Sequence, residues 1–225
     1  DGSSGTMNAD GSGTYTGADG TTASMDAEGG GSYESADGSS GTWDADGGGS
    51  YEMADGSSGS YSADGSYSHS DADGNSYSGD ADGNSSWTGA DGSSGSYNAD
   101  GSSSYSDADG NSYSDDGQGS GSYTSSDGSS GSYSADGSYS HSDADGNSYS
   151  GDADGNSSWT GADGSSGSYN ADGSSSYSDA DGNSYSDDGQ GSGSYSSSDG
   201  SSGSYNADGS SSYTDADGNT TAYDA

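Results

Sequence analysis

The large side chains of this chain fall on a fixed beat. Divided into units of nine residues, the 225 residues contain 25 units without a slip. In odd-numbered units the large residue stands at position 7 or 5, as in Met7, Met25, Trp43, Tyr61, Tyr77, Tyr97, Tyr113, Tyr133 and on to Tyr223. In even-numbered units it stands at position 6, sometimes also at 4, as in Tyr15, Tyr33, Tyr51, the pair Tyr67/His69, Trp87, Tyr105, Tyr123 and on to Tyr213. Met53, at position 8, is the one stray. Alternate residues of a strand share a face. Positions 5 and 7 therefore define one short strand and positions 4 and 6 a second, repeating together every 18 residues.

Between these strands stands Asp-Gly. Gly occupies position 2 of every unit, and position 1 is Asp except at Glu28, Gln118 and Gln190. The pair is a turn signal, because Gly supplies a positive φ and Asp bonds to nearby backbone. The pattern predicts an all-β parallel β-solenoid or β-roll, with two nonapeptides per coil and two stacked sheets joined by Asp-Gly turns. Bulk is staggered: Gly59 accompanies Tyr61, and Gly79 accompanies Tyr77. Staggering suits side chains that share a confined layer, so the aromatic faces are expected inside. A thin polar core of Ser, Thr and Gly faces is the open alternative.

The whole chain, 1–225, reads as one repeat array. Units in 1–54 diverge most, residues 55–126 recur as 127–198 with Thr124 replaced by Ser196, and 199–225 hold the last repeats. The chain does not begin with Met, so it reads as a processed product or a window of a longer repeat protein.

Composition adds a constraint. Gly and Ser dominate, apolar content is low, and 39 acidic residues face no Lys or Arg, for a formal charge of −39. Taken alone, such values describe a disordered chain, but a linker has no reason to keep odd and even units distinct. In parallel coils, position-1 carboxylates would stack about 4.8 Å apart and repel one another. Bound cations would reverse that sign. The charge excludes nucleic acid and anionic membrane surfaces as partners, and no apolar run is long enough to span a bilayer. Cys and Pro are absent.

Hard cations are bound by several oxygens from carboxylates and turn carbonyls. The candidate calcium ligands are the acids of the Asp-x-Asp-Gly-Asn runs: Asp71 and Asp73, Asp80 and Asp82, Asp107 and Asp109, Asp143 and Asp145, Asp152 and Asp154, Asp179 and Asp181, Asp215 and Asp217. In nonapeptide period and two-strand coil the chain resembles the calcium-binding β-roll of the RTX (repeats-in-toxin) proteins. That resemblance implies ions held in the turns. The RTX pattern places its apolar residue two positions after Asp, whereas here it comes three to six positions after, so no ligand is transferred residue by residue.

Twenty tyrosines with no Phe are unusual for a core, since each hydroxyl needs a partner. An outer tyrosine row for lateral association or cross-linking is the alternative to core packing. His69 and His141 occupy equivalent sites and read as packing residues. No catalytic residue is expected: Ser is too abundant for a Ser-His-Asp arrangement to mean anything. Asn84, Asn156 and Asn219 begin glycosylation sequons.

The expected function is that of an extracellular or cell-surface structural repeat, an adhesin stalk or filament subunit rigidified by calcium. Self-association, end to end or lateral, is expected, with glycans or surfaces as further partners. An ice-binding solenoid and an acidic biomineral matrix protein are the alternatives.

Overall fold

The computed structural model describes residues 2–225. Each nonapeptide contributes one four-residue strand at positions 4–7, from β1 (Ser4–Met7) to β25 (Thr220–Tyr223), and no helix occurs among the described residues. The chain forms two compact units, 1–112 and 113–225.

Within the first unit, β1 to β12 (Ser103–Ser106) form an antiparallel meander in which each strand pairs with the next in sequence. Within the second, β14 (Gly121–Thr124) to β25 do the same. Strands contact only their sequence neighbours, so each unit is a single layer. The expected parallel solenoid with two stacked sheets is therefore corrected: within each unit the strands are antiparallel and form one sheet.

The physical reason lies in the turn. Gly11 N–H donates to Asn8 O at 3.1 Å and Asn8 N–H to Ser12 O at 2.8 Å, around Gly11 at φ 92°. This is a three-residue hairpin loop closed by a glycine bulge. It returns the chain alongside the strand it left, which a parallel crossover cannot do in so few residues.

Antiparallel pairing also explains the 18-residue period. Position 5 of an odd strand lies opposite position 6 of the next, as Gly41 does opposite Tyr51, and position 7 lies opposite position 4, as Tyr61 does opposite Tyr67. Directly opposed residues share a face. Odd positions 5 and 7 and even positions 4 and 6 thus all emerge on one side. The odd–even alternation marks one aromatic face carried by strands of alternating direction.

The opposite face is Ser and Thr, with Glu34 and Glu52 the acids on it. Its hydroxyls bond across strands, as Ser60 to Ser68 at 2.7 Å and Ser96 to Ser104 at 2.7 Å. Neither face is a core. No hydrophobic residue is buried among the described residues, and the most buried side chains are turn serines: Ser39, Ser57, Ser93 and Ser165. The expectation that the aromatic faces lie inside, and its polar-core alternative, are both corrected.

Glycines on the aromatic face leave room for rings. Tyr51 lies over its cross-strand partner Gly59, where an added Cβ would stand 2.5 Å from the phenol oxygen and 2.7 Å from Ser68 O. Gly59→Ala is accordingly expected to destabilise its unit by about 1–3 kcal/mol, although Gly usually weakens a strand. Chemical denaturation of the variant checks the sign.

Candidate functional surfaces

Three surfaces carry chemistry: the acidic turns along the edges, the hydroxyl face and the aromatic face. The turns come in two kinds. In the first, the position-1 Asp closes the turn: Asp91 Oδ1 accepts the Ser93 backbone N–H at 2.9 Å and the Ser93 hydroxyl at 2.5 Å. These bonds hold the Asp91 carboxyl below the usual carboxylate range, the Ser93 hydroxyl contributing most.

The second kind contains the predicted calcium ligands, and it separates them into two groups. Asp71, at position 8, accepts N–H bonds from Asp73 at 3.0 Å and Asn75 at 2.9 Å on Oδ1, and the Asn75 amide at 2.7 Å on Oδ2. Asp80, Asp107, Asp143, Asp152 and Asp179 repeat this set. Asp215 accepts from Asn219 through both backbone and side chain. These bonds, led by the Asn side chain, lower each of these carboxyls. Their partners at position 1, Asp73, Asp82, Asp109, Asp145, Asp154, Asp181 and Asp217, are exposed at the turn tips. Each turn thus brings two of the predicted ligands together. Among the described residues no three His, Cys, Asp or Glu side chains form a group able to hold a metal.

Turns on one edge also bond to one another. Asn75 Oδ1 accepts the Ala90 N–H at 2.9 Å, and the Ala90 Cβ lies 3.6 Å from the Cβ position of Gly74. The same amide–alanine link joins Asn84 to Ala99 and Asn156 to Ala171, so two of the sequon amides are engaged in turn contacts. The small residue at position 9 is explained by this stacking. Same-edge turns lie two strands apart, about 9.6 Å, twice the carboxylate spacing expected of parallel coils. That is close to the Debye length at physiological salt, so their repulsion is substantially screened.

The aromatic face is the surface that the inward-facing reading missed. Even strands place a ring at position 6 throughout β2 (Gly13–Thr16) to β12. Rings lean across glycine strands to meet. Trp87 and Tyr105, with Gly95 between them, have centroids 6.0 Å apart. Tyr51 reaches across Gly59 to His69, with its hydroxyl 2.7 Å from Nδ1, and Tyr77 stacks on the other side of that imidazole at 6.3 Å. The second unit repeats both arrangements at Tyr123–His141–Tyr149 and Trp159–Tyr177. His69 and His141 are thus ring-stacking residues.

Asp115 and Asp187 are the acids on this face. Tyr205 Oη donates to Asp187 Oδ2 at 2.5 Å and lies 2.8 Å from Tyr185 Oη, while Asp187 Oδ1 accepts the Gly189 N–H at 2.8 Å. Tyr113, Tyr133 and Asp115 form the same cluster, at 2.6 Å and 2.7 Å. The Tyr113 phenol and then the Asp115 carboxylate push the Tyr133 hydroxyl well above the ordinary tyrosine range, and Asp187 followed by Tyr185 does the same to Tyr205. The same bonds lower Asp115 and Asp187. The sequence showed each Asp two residues after a Tyr on the same face, but not the second Tyr that completes the cluster.

No protein-family model matches the chain, and no curated protein matches it. Among solved structures, the TCP10 domain of Danio rerio CPAP in complex with a peptide of Danio rerio STIL is similar at 18% identity and TM-score 0.43, over 76% of this chain and 95% of that one. The CPAP G-box domain, described with a suggested role in centriole elongation, is similar at 18% identity and TM-score 0.39, over 71% and 98%. The Drosophila melanogaster SAS-4 TCP domain in complex with a proline-rich motif of Ana2 is similar at 17% identity and TM-score 0.32, over 61% and 88%. Likeness at this level transfers no partner or activity. The expected extracellular or cell-surface location has no counterpart in these descriptions and is not proposed below.

Proposed function

We propose that this chain is a structural, non-enzymatic repeat protein whose sheets assemble with further copies through their aromatic faces. One observation carries the reading: among the described residues no hydrophobic side chain is buried, yet the large apolar residues are gathered on one side of each sheet. Apolar surface of this extent marks an interaction site.

Area and charge favour a second copy as the occupant. Four-residue strands are about 14 Å long, and the twelve strands of 1–112 span about 58 Å at 4.8 Å each. Two such faces would bury roughly 1,600 Å², the size of a stable protein interface. Between the acidic edges the face is uncharged apart from Asp115 and Asp187, so joining two faces leaves the edge carboxylates in water. Tyr and Trp provide large contact area with a polar tip, which suits them to interfaces.

Sedimentation velocity tests this. Association is expected to increase with protein concentration and with salt, because at about 0.5 M the Debye length falls to roughly 4 Å and edge repulsion is screened. Replacing Tyr51, Trp87 and Tyr105 with Ser is expected to weaken association while far-UV circular dichroism is retained. A wild-type chain that stays monomeric at high concentration and high salt would sink the reading.

A further inference from the structure

We propose that Tyr205 and Tyr133, each bonded to a carboxylate on the aromatic face, are preferred sites of one-electron oxidation. Their coupling to tyrosines of another copy rests on the assembly proposed above. Preferential oxidation itself does not.

Identical local sequences isolate the cause. Tyr97, Tyr169 and Tyr205 all lie in the nonapeptide Asp-Gly-Ser-Ser-Gly-Ser-Tyr-Asn-Ala, at 91–99, 163–171 and 199–207. Their cross-strand neighbours differ. Tyr97 stands between Ser85 and Ser103, and Tyr169 between Ser157 and Ser175. Tyr205 faces Gly193, which in turn faces Asp187. Without a Cβ at residue 193, the Tyr205 ring leans across that strand and its hydroxyl reaches the carboxylate two strands away. Tyr97 and Tyr169 stay upright, 56% and 57% exposed. Tyr133 makes the same crossing over Gly121 to Asp115.

Oxidising a neutral phenol requires its proton to leave with the electron. At Tyr205 the electron passes to a peroxidase-type oxidant, the O–H bond breaks, and the proton moves along the existing hydrogen bond to Asp187 Oδ2. A neutral phenoxyl radical and a carboxylic acid result, and the acid returns its proton to water. Tyr185, bonded to the same phenol oxygen, stays behind as a donor to the radical. Two phenoxyls on different copies then join through ortho carbons, and the ortho hydrogens shift to the oxygens. Two electrons and two protons are lost in all, reducing one hydrogen peroxide to two waters. Tyr51 and Tyr123 are hydrogen-bonded to imidazole nitrogens and compete, so the comparison is best made among the identical nonapeptides.

The test treats the dilute, unassembled full chain with a peroxidase, limiting hydrogen peroxide and nitrite, which traps tyrosyl radicals as nitrotyrosine. Cleavage at Trp43, Trp87 and Trp159, followed by mass-spectrometric fragmentation, locates the modified rings. Tyr205 is expected to be modified several-fold more than Tyr169 and Tyr97. Asp187→Asn is expected to abolish that preference and leave Tyr133 unchanged. Gly193→Ser gives Tyr205 the type of neighbour that Tyr97 already has, and is expected to do the same. Modification that follows exposure, with Tyr97 and Tyr169 first, would overturn the proposal. So would a preference that survives both substitutions in chains with an unchanged far-UV spectrum. Dityrosine formed at assembling concentration reads the coupling separately, so failure to associate removes the cross-link without removing the order of nitration.

Discussion

Acidification from about pH 7 to about pH 2.5 is expected to unfold the sheets. Charge alone points the other way, since protonation removes the mutual repulsion of 39 acids with no Lys or Arg among them. The hydrogen bonds decide. At Asp55, Asp64, Asp127 and Asp136 the leading influences are bonds from the following Ser, which lower the carboxyl; repulsion from the next turn on the same edge is the smallest. A carboxyl lowered in the folded state stabilises the fold above its unfolded value, here 3.8, and that contribution is lost as pH falls through the folded value. The loss is therefore expected below about pH 4, and it recurs at turn after turn. Thermal melts by circular dichroism at about pH 6 and pH 3 check it, at dilution because the isoelectric point is near 4.1. A higher melting temperature at the lower pH would show that edge repulsion outweighs the turn bonds.

Gly189→Ala is expected to cost about 3 kcal/mol, the largest effect of any single substitution considered. Two penalties coincide there. Residue 189 has φ 70°, where a side chain costs roughly 1–2 kcal/mol. An added Cβ would also stand 2.6 Å from Gly173 C and 2.7 Å from Asp172 O, backbone atoms of the adjoining turn that cannot swing aside. Overpacking of this kind adds about 1–3 kcal/mol. Gly164→Ala is the control. It has φ 88° and no atom within 4 Å of the added Cβ, so only the first penalty applies. Denaturant unfolding of both variants should show the larger loss at 189, and equal losses would remove the turn-to-turn contact from the account. Because each strand touches only its neighbours, the damage is expected to stay local, as in other repeat arrays.

Much of this architecture was legible in the chain. The nonapeptide period, the short strands and the Asp-Gly turns follow from residue types alone. Gly is needed where φ is positive, Asp and Ser or Asn where a turn N–H needs an acceptor, and alternate positions share a face. The 18-residue period was equally visible, but two arrangements satisfy it. Two distinct strands of a parallel coil alternate odd and even, and so does one kind of strand that reverses direction at every turn. Position counting cannot separate them, because it records which residues share a strand face and not which way the next strand runs.

The tertiary structure settled that choice through the hairpin bond from Gly N–H to the carbonyl three residues back. The choice has consequences for every surface. It put the rings on one face of each unit and most of the Ser and Thr hydroxyls on the other, and it left both exposed. It doubled the spacing of the edge carboxylates and turned Asp71 and its equivalents into acceptors for their own turns. Tyr205 and Tyr97 are alike to the ninth residue, and only one meets a carboxylate, because only there does the neighbouring strand offer a glycine to lean across. Local rules place a residue on a strand and on a face; which residue stands two strands away is set by pairing.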